Sequence, residues 1–280
     1  MADAPIISVA DLSVTYPDAD RPALLGVSLD IQAGEFVGIM GLNGAGKTTL
    51  GLCLDGIVPQ LLPATISGRV VVDRRDPSHS PVREAARSVG VVFDDAEYQL
   101  SQPTVAEEVA FGLESLGVAP EAMPARIANA LAWVGLTGLD DRSPMELSGG
   151  QQQRLAIAAV LVMEPEILFM DEPASNLDPA GAGEVFAVAR RLNREAGMTV
   201  LVVEHQVEML AAHADRIIVL DEGRIVMDGP VADVLGRVEE LAALGMRAPQ
   251  VTAFAHALAT GDRELPVTVD AALAWLGARS

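Results

Sequence analysis

Lysine is almost missing from this chain of 280 residues: Lys47 is the only one, and every other permanently basic side chain is arginine. Basic side chains of both kinds number 19 against 39 carboxylates, a formal net charge of −20. So negative a balance argues against binding nucleic acid through phosphate contacts and against free-standing adhesion to anionic lipid. Cysteine is equally scarce. Cys53 stands alone, so no disulfide can form within the chain, which suits a reducing cytoplasm. No apolar run approaches the ~20 residues of a membrane-spanning helix, and the longest clean one, residues 155–163, is about half that. The first residues show no basic stretch followed by an apolar one, so no secretory leader is expected. Any membrane role must then come through a partner. Half of the residues are hydrophobic, enough for one large α/β domain with a smaller appendage.

The solitary lysine falls in Gly41-Leu-Asn-Gly-Ala-Gly-Lys-Thr-Thr49, which fits the phosphate-binding loop pattern. Gly41, Gly44 and Gly46 let the backbone turn tightly, so that N–H groups along Asn43, Gly44, Ala45 and Gly46 point at phosphate oxygens. Lys47 brings a slim point charge to the outer phosphates, Thr48 offers a hydroxyl to Mg²⁺, and Thr49 continues the helix start. An apolar strand over 35–40 precedes the loop, and a helix over 48–54 follows it with its N-terminus toward the anion.

Along the rest of the chain, strands are expected at 6–15, 27–31, 68–73 and 89–93, with a short helix at 82–87 and an apolar loop over 56–67. From Ser101 the pattern turns helical, with apolar residues at helical spacing over 105–116 and 122–134. This is a helical insertion, about 101–150. A helix over 151–162, a strand at 167–170, a helix at 180–195 and a strand at 198–203 follow. Asp221-Glu-Gly223 reads as a hairpin turn between strands 216–220 and 224–227. Beyond Pro230 short helices are expected at 231–244, 251–260 and 269–277, the last capped by Thr268. The fold class is therefore α/β with a mainly parallel sheet, ligands lying at the carboxyl ends of its strands. Residues 1–230 form the main domain and 231–280 a small helical one.

Two of those strands end in acidic residues. Asp171 can hold Mg²⁺ through water and Glu172 can polarise an attacking water as general base; alone, such a pair reads equally well as the start of a solvated loop. Leu147-Ser-Gly-Gly-Gln-Gln-Gln-Arg154 then opens a helix, with the Ser148 hydroxyl and the bare N–H groups of Gly149 and Gly150 at its N-terminus.

With that stretch the chain resembles the ABC-type ATPases. The resemblance implies a P-loop core with an N-terminal antiparallel β subdomain, and a dimer in which Ser148, Gly149, Gly150 and Gln151 grip the γ-phosphate held by the opposite subunit. It implies that His205, just past a strand, contacts the γ-phosphate, and that Ser175-Asn-Leu-Asp178 crosses the dimer interface. It implies that Tyr16 stacks on adenine. One position departs from the pattern: the hinge into the insertion normally carries Gln, and here Val91-Val-Phe93 is followed by Asp94. A carboxylate can still ligate Mg²⁺, and it adds negative charge beside a triphosphate; Gln99 is a second candidate for the missing amide.

The stretch from Asp94 to Gly112, together with Leu244-Gly-Met-Arg-Ala-Pro249 and Leu265-Pro-Val-Thr-Val-Asp270, is similar to energy-coupling factor ATPases, which drive uptake of vitamins and transition-metal ions. That resemblance implies ATP and Mg²⁺ as ligands and a second ATPase subunit, alike or paralogous. It also implies a transmembrane coupling subunit, a substrate-binding membrane protein, and a place on the cytoplasmic face of the membrane. Asp95, Glu97, Glu107 and Glu108 are expected as an acidic patch for arginines of the coupling subunit, or else as solvated acids. A soluble assembly ATPase of the iron–sulfur type shares these motifs, but the C-terminal helical domain disfavours it.

Overall fold

The computed structural model describes residues 4–258 and 264–277. Its strands are β1 (Ile7–Thr15), β2 (Leu24–Ile31), β3 (Phe36–Met40), β4 (Thr65–Val72), β5 (Val89–Val92), β6 (Ile167–Asp171), β7 (Thr199–Val203), β8 (Arg216–Asp221) and β9 (Arg224–Pro230). The helices of the first half are α1 (Lys47–Leu54), α2 (Ile57–Gln60), α3 (Val82–Ser88), α4 (Ala96–Gln99), α5 (Val105–Ser115) and α6 (Met123–Trp133). Those of the second half are α7 (Gly149–Leu161), α8 (Pro179–Ala196), α9 (Val207–His213), α10 (Val231–Leu235), α11 (Val238–Ala243), α12 (Gln250–Leu258) and α13 (Val269–Gly277).

β2, β1 and β4 make an antiparallel sheet in that order, and β5-β6-β7-β3-β8-β9 a second one. In the larger sheet every pairing is parallel except the closing β8–β9 hairpin. Its central strands are buried on both faces, as parallel strands covered from two sides must be. Alternate residues serve two cores. Leu168, Met170, Val200, Val202, Ile217 and Val219 pack with the helices of the insertion and α8. Ile167, Phe169, Leu201, Val203, Ile218 and Leu220 pack with α1 and the antiparallel sheet. This period of two is what β-branched runs at 199–203 and 216–221 dictate.

The expected α/β class and helical insertion are present. β4 starts at Thr65, inside the expected 56–67 loop, because Thr65, Ile66 and Ser67 pair with the far end of β1. Earlier in that loop the Gln60 amide bridges the Pro77 and Ser80 carbonyls. The expected helix at 231–244 is two, α10 and α11, parted at Gly236. The expected 251–260 helix is described to Leu258, and residues 259 and 260 lie outside the described residues. No described helix is long and apolar enough to cross a membrane.

Candidate active site

β3 delivers the chain into the phosphate loop, and α1 leaves it. Gly44 and Gly46 take positive φ values of 80° and 103°, which side chains resist. A Cβ on Gly46 would lie 2.4 Å from the Ala23 carbonyl oxygen, so the tight packing against β2 requires glycine. Lys47 is buried, and its Nζ donates to the carbonyls of Gly41 (2.9 Å) and Leu42 (3.1 Å). Burial lowers its pKa, opposed by the charges of Glu172 and Asp171. Asn43, Gly44 and Thr48 are exposed and Ala45 and Thr49 buried. The half-buried Tyr16 places its hydroxyl 3.3 Å from Thr49 Oγ1, beside the start of α1.

Strand register brings the remaining acids to the same edge. Val92 pairs with Met170, Asp171 with Val203 and Val203 with Ile39, so β5, β6, β7 and β3 end level with one another. Asp171 closes β6 with one carboxylate oxygen, Oδ1, fully buried and without a partner. Burial raises its pKa; the Thr48 hydroxyl opposes the rise, and the charges of Glu172 and Asp94 add to it. A buried orphan oxygen beside a hydroxyl at a helix start fits a hard divalent cation, which takes a carboxylate, a hydroxyl and waters. Thr48 and Asp171 would hold Mg²⁺ here, with Asp94 at its side.

Glu172 has φ of 50°, a conformation a glutamate rarely adopts, held by its N–H donating to the Val203 carbonyl at 2.9 Å. Its Oε1 lies 2.9 Å from His205 Nε2. The turn that aims His205 is built by a residue with no assigned role in the sequence reading. Glu204 is 2% exposed, and its Oε1 accepts the N–H groups of His205 (2.7 Å) and Gln206 (3.0 Å). Burial raises the Glu204 carboxyl, the two amides pull it down, and the Glu172 charge adds to the rise.

Asp94 is exposed just past β5. Gln99 does not take the place of the family's hinge amide: its Nε2 donates to Val91 O and its Oε1 accepts from Phe93 N, both at 3.2 Å. Both ends of the side chain fix the hinge. The buried Gln153 also serves the hinge, donating to Phe93 O at 3.1 Å. The four-residue acidic patch is corrected as well. Glu108 is buried, and its Oε2 accepts the N–H groups of Ser101 and Gln102, both at 2.7 Å. Glu107 is exposed; Thr104 caps the helix by accepting its N–H, and the Thr104 hydroxyl donates to the Glu107 carboxylate. Asp95 and Glu97 remain, and with Asp94, Gly149, Gln152 and Asn176 they line a cleft of about 340 Å³.

At the start of α7, Ser148 Oγ accepts from Gln151 N and Gln151 Oε1 accepts from Ser148 N, a capping box readable as Ser-x-x-Gln. Gly149 and Gly150 sit against Leu177 and Gly181, where a Cβ would come within 3.2 Å. Asp178 caps α8, its Oδ1 accepting from Gly181 N at 2.7 Å. Arg154 ties α7 to the Val134 carbonyl after α6 and to Glu184 of α8. The structure thus brings Lys47, Asp171, Glu172 and His205 together, while Ser148–Gln151 pack on the loop leading to α8.

This geometry agrees with the matches to known proteins. The profile of the family described as ABC transporter matches residues 24–175. The chain belongs to the ABC transporter ATP-binding family. The family's general activity is ATP hydrolysis coupled to transport. A Pyrococcus horikoshii protein named as an ABC transporter ATP-binding protein is 43% identical over 244 residues, 87% of this chain and 86% of that one. A Methanosarcina acetivorans relative with the same kind of name is 43% identical over 256 residues. Those residues are 91% of this chain but 42% of the relative, so this chain spans less than half of its length. An energy-coupling factor transporter ATP-binding protein of Methanothermobacter thermautotrophicus is 38% identical over 264 residues, 94% of this chain and 83% of that one. Among solved structures, a cbiO1 protein of Clostridium perfringens, part of an ABC transporter complex, superposes with a TM-score of 0.77 at 32% identity. The match covers 90% of this chain and 99% of that one. A dimeric ATP-binding cassette bound to ADP and phosphate gives a TM-score of 0.67 at 30% identity, covering 80% and 98%.

Proposed function

We propose that this ATPase powers an energy-coupling factor importer of a vitamin or transition-metal ion from the cytoplasmic face of the membrane. Two chains, alike or paralogous, pair around two ATP molecules, each held by the phosphate loop of one chain and Ser148–Gln151 of the other. The observation that carries the reading is the Glu172–His205 pair set level with Lys47 and the unpartnered Asp171 oxygen. The importer class rests on the relative and the solved structure named above, whose likeness spans most of the chain.

Each residue then has a task. The Gly41–Gly46 amides and Lys47 bind the phosphates, Lys47 exchanging its loop carbonyls for phosphate oxygens. Mg²⁺, held by Thr48 and Asp171 with Asp94, would neutralise charge on the phosphate oxygens. Glu172 takes a proton from the attacking water, and His205 leaves its hydrogen bond with Glu172 to meet the γ-phosphate. Tyr16 supports the adenine side. Asp178 and Asn176 cross to the partner. The C-terminal helices, with Phe254, Val269 and Leu273 exposed, add a second pairing surface. The insertion grips helices of a transmembrane coupling subunit, with Asp95 and Glu97 receiving its arginines, while a separate membrane protein binds the cargo.

Glu172→Gln tests the core of this reading. Hydrolysis should fall by more than about a hundredfold, ~2.7 kcal/mol of barrier. With Mg²⁺ and ATP the variant should retain nucleotide and double in mass, alone or with a sister subunit. A variant that shows neither retention of nucleotide nor doubling in mass refutes the proposal. Charge reversal at Asp95 and Glu97 should abolish co-purification with a membrane protein in detergent; intact assembly removes the acidic contact from the account.

A further inference from the structure

We propose that Asp94 makes tight nucleotide binding by this chain conditional on a divalent cation. The inference rests on the nucleotide-binding reading above and concerns what an acid does where the family's pattern has a neutral amide.

The register argument is direct. Val92 of β5 pairs with Met170 of β6, so Asp94 and Glu172, each two residues past that pair, leave adjacent strand ends at the carboxyl edge, where the Asp94 charge acts on Asp171. Neighbouring strands lie about 4.8 Å apart. On the next strand Asp171 pairs with Val203, which sets Glu204 beside them. Three adjacent strands therefore end in four carboxylates: Asp94, Asp171, Glu172 and Glu204. Against these the segments 36–49, 89–99, 167–178 and 199–206 contain one permanent cation, Lys47, and no arginine. Lys47 is already bonded to two loop carbonyls.

A second observation points to a cation. Asp171 is 8% exposed and its Oδ1 is buried with no partner, so the edge holds an acceptor that no protein donor satisfies. Asp94, in contrast, is exposed and free to turn toward whatever enters. A bare triphosphate entering this edge meets like charge. A cation arriving with it turns Asp94 and Asp171 from repellents into ligands. A glutamine at position 94 would supply an oxygen ligand without the repulsion, so the dependence on metal belongs to the carboxylate.

The test uses the full chain and a non-hydrolysable ATP analogue, its affinity measured by calorimetry in excess Mg²⁺ and again in EDTA at low salt. The ratio of the two dissociation constants should shrink by about tenfold in Asp94→Gln, the scale of a ~1.4 kcal/mol charge interaction. Asp94→Asn should shrink it likewise, while Asp94→Glu keeps the wild-type ratio. Raising the salt should narrow the gap in wild type more than in the neutral variants. Neutral variants whose ratio stays within about twofold of wild type overturn the proposal while leaving the ATPase reading intact. Failure of the wild-type chain to bind the analogue even with Mg²⁺ overturns both.

Discussion

The phosphate loop and the signature segment, Leu147–Arg154, are both glycine-rich starts of helices, and they are built in opposite ways. At α1 the N-cap is Gly46, in a left-handed conformation and with no side-chain cap. Its first turn carries no acid, so its N–H groups await an anion. At α7 the cap is complete: Ser148 and Gln151 satisfy each other's backbone donors. One start leaves its backbone donors without a cap from its own chain. The other is capped by its own residues and leaves Ser148 and Gly149 exposed. On the proposed reading, that difference is what sends the second start to a neighbouring chain's nucleotide.

The sharpest way to break this contrast is to damage each start in turn. Lys47→Ala should weaken nucleotide binding by a single chain at least about a hundredfold, ~2.7 kcal/mol. Ser148→Arg should leave single-chain affinity within about threefold of wild type and abolish ATP-dependent doubling of mass. Titration with a fluorescent nucleotide at low protein concentration and sedimentation at high concentration separate the two effects. If Ser148→Arg costs as much single-chain affinity as Lys47→Ala, both starts serve one site within one chain and the contrast is lost.

Much of this architecture is legible in the sequence, because long apolar strands and amphipathic helices carry a clear period. The hairpin at Glu222-Gly223 is read from its residues, and both take the positive φ that such a turn demands. What escapes is short or depends on a distant partner. α4 has four residues and α9 seven, too few for a period to stand out, although Val207, Leu210 and Ala211 do share one buried face. Glu108 reads as a surface acid because nothing in its neighbours announces that the amides of residues 101 and 102 turn toward it. Gln99 and Gln153 look free for the same reason, yet both hold the end of β5. Candidate metal ligands are easier to pick out, since their chemistry restricts residue type at fixed strand ends.

Each side of the molecule also buries a carboxyl group outside the site, and their surroundings differ in the same sense. On the phosphate-loop side Asp55 is the C-cap of α1, 4% exposed, where the helix dipole disfavours negative charge. Burial pushes it up to about 7 from 3.8, against the pull of the backbone N–H groups of Ile57 and Asp55. A carboxyl that holds its proton more tightly when folded stabilises the fold most at low pH. That stability is lost as pH rises from the unfolded value through the folded one, so the cost accumulates between about pH 4 and pH 7 and stays constant above. The linkage is of order 4 kcal/mol at its ceiling. Asp55→Asn keeps an oxygen for the Ile57 N–H and cannot ionise. It should be the more stable protein at pH 8 in urea unfolding, with an advantage that shrinks steadily toward pH 5. An advantage independent of pH would mean the gain has nothing to do with ionisation.

On the signature side the comparison reduces to two adjacent glutamates of α5. Glu108 is buried but accepts two backbone N–H groups, so removing it strands both donors in the hinge. Glu107 is exposed and only completes the Thr104 cap. Glu108→Ala should cost about 2–3 kcal/mol in urea unfolding, the scale of losing hydrogen bonds to a charged group. Glu107→Ala should cost under ~1 kcal/mol, the scale of a helix cap. Because the residues are neighbours on one helix with equal propensity, the difference between them isolates burial and hydrogen bonding from helix formation. Equal costs would mean that the turn at 101–102 is held by something other than Glu108, and that the insertion does not depend on this carboxylate to fix its junction with the hinge.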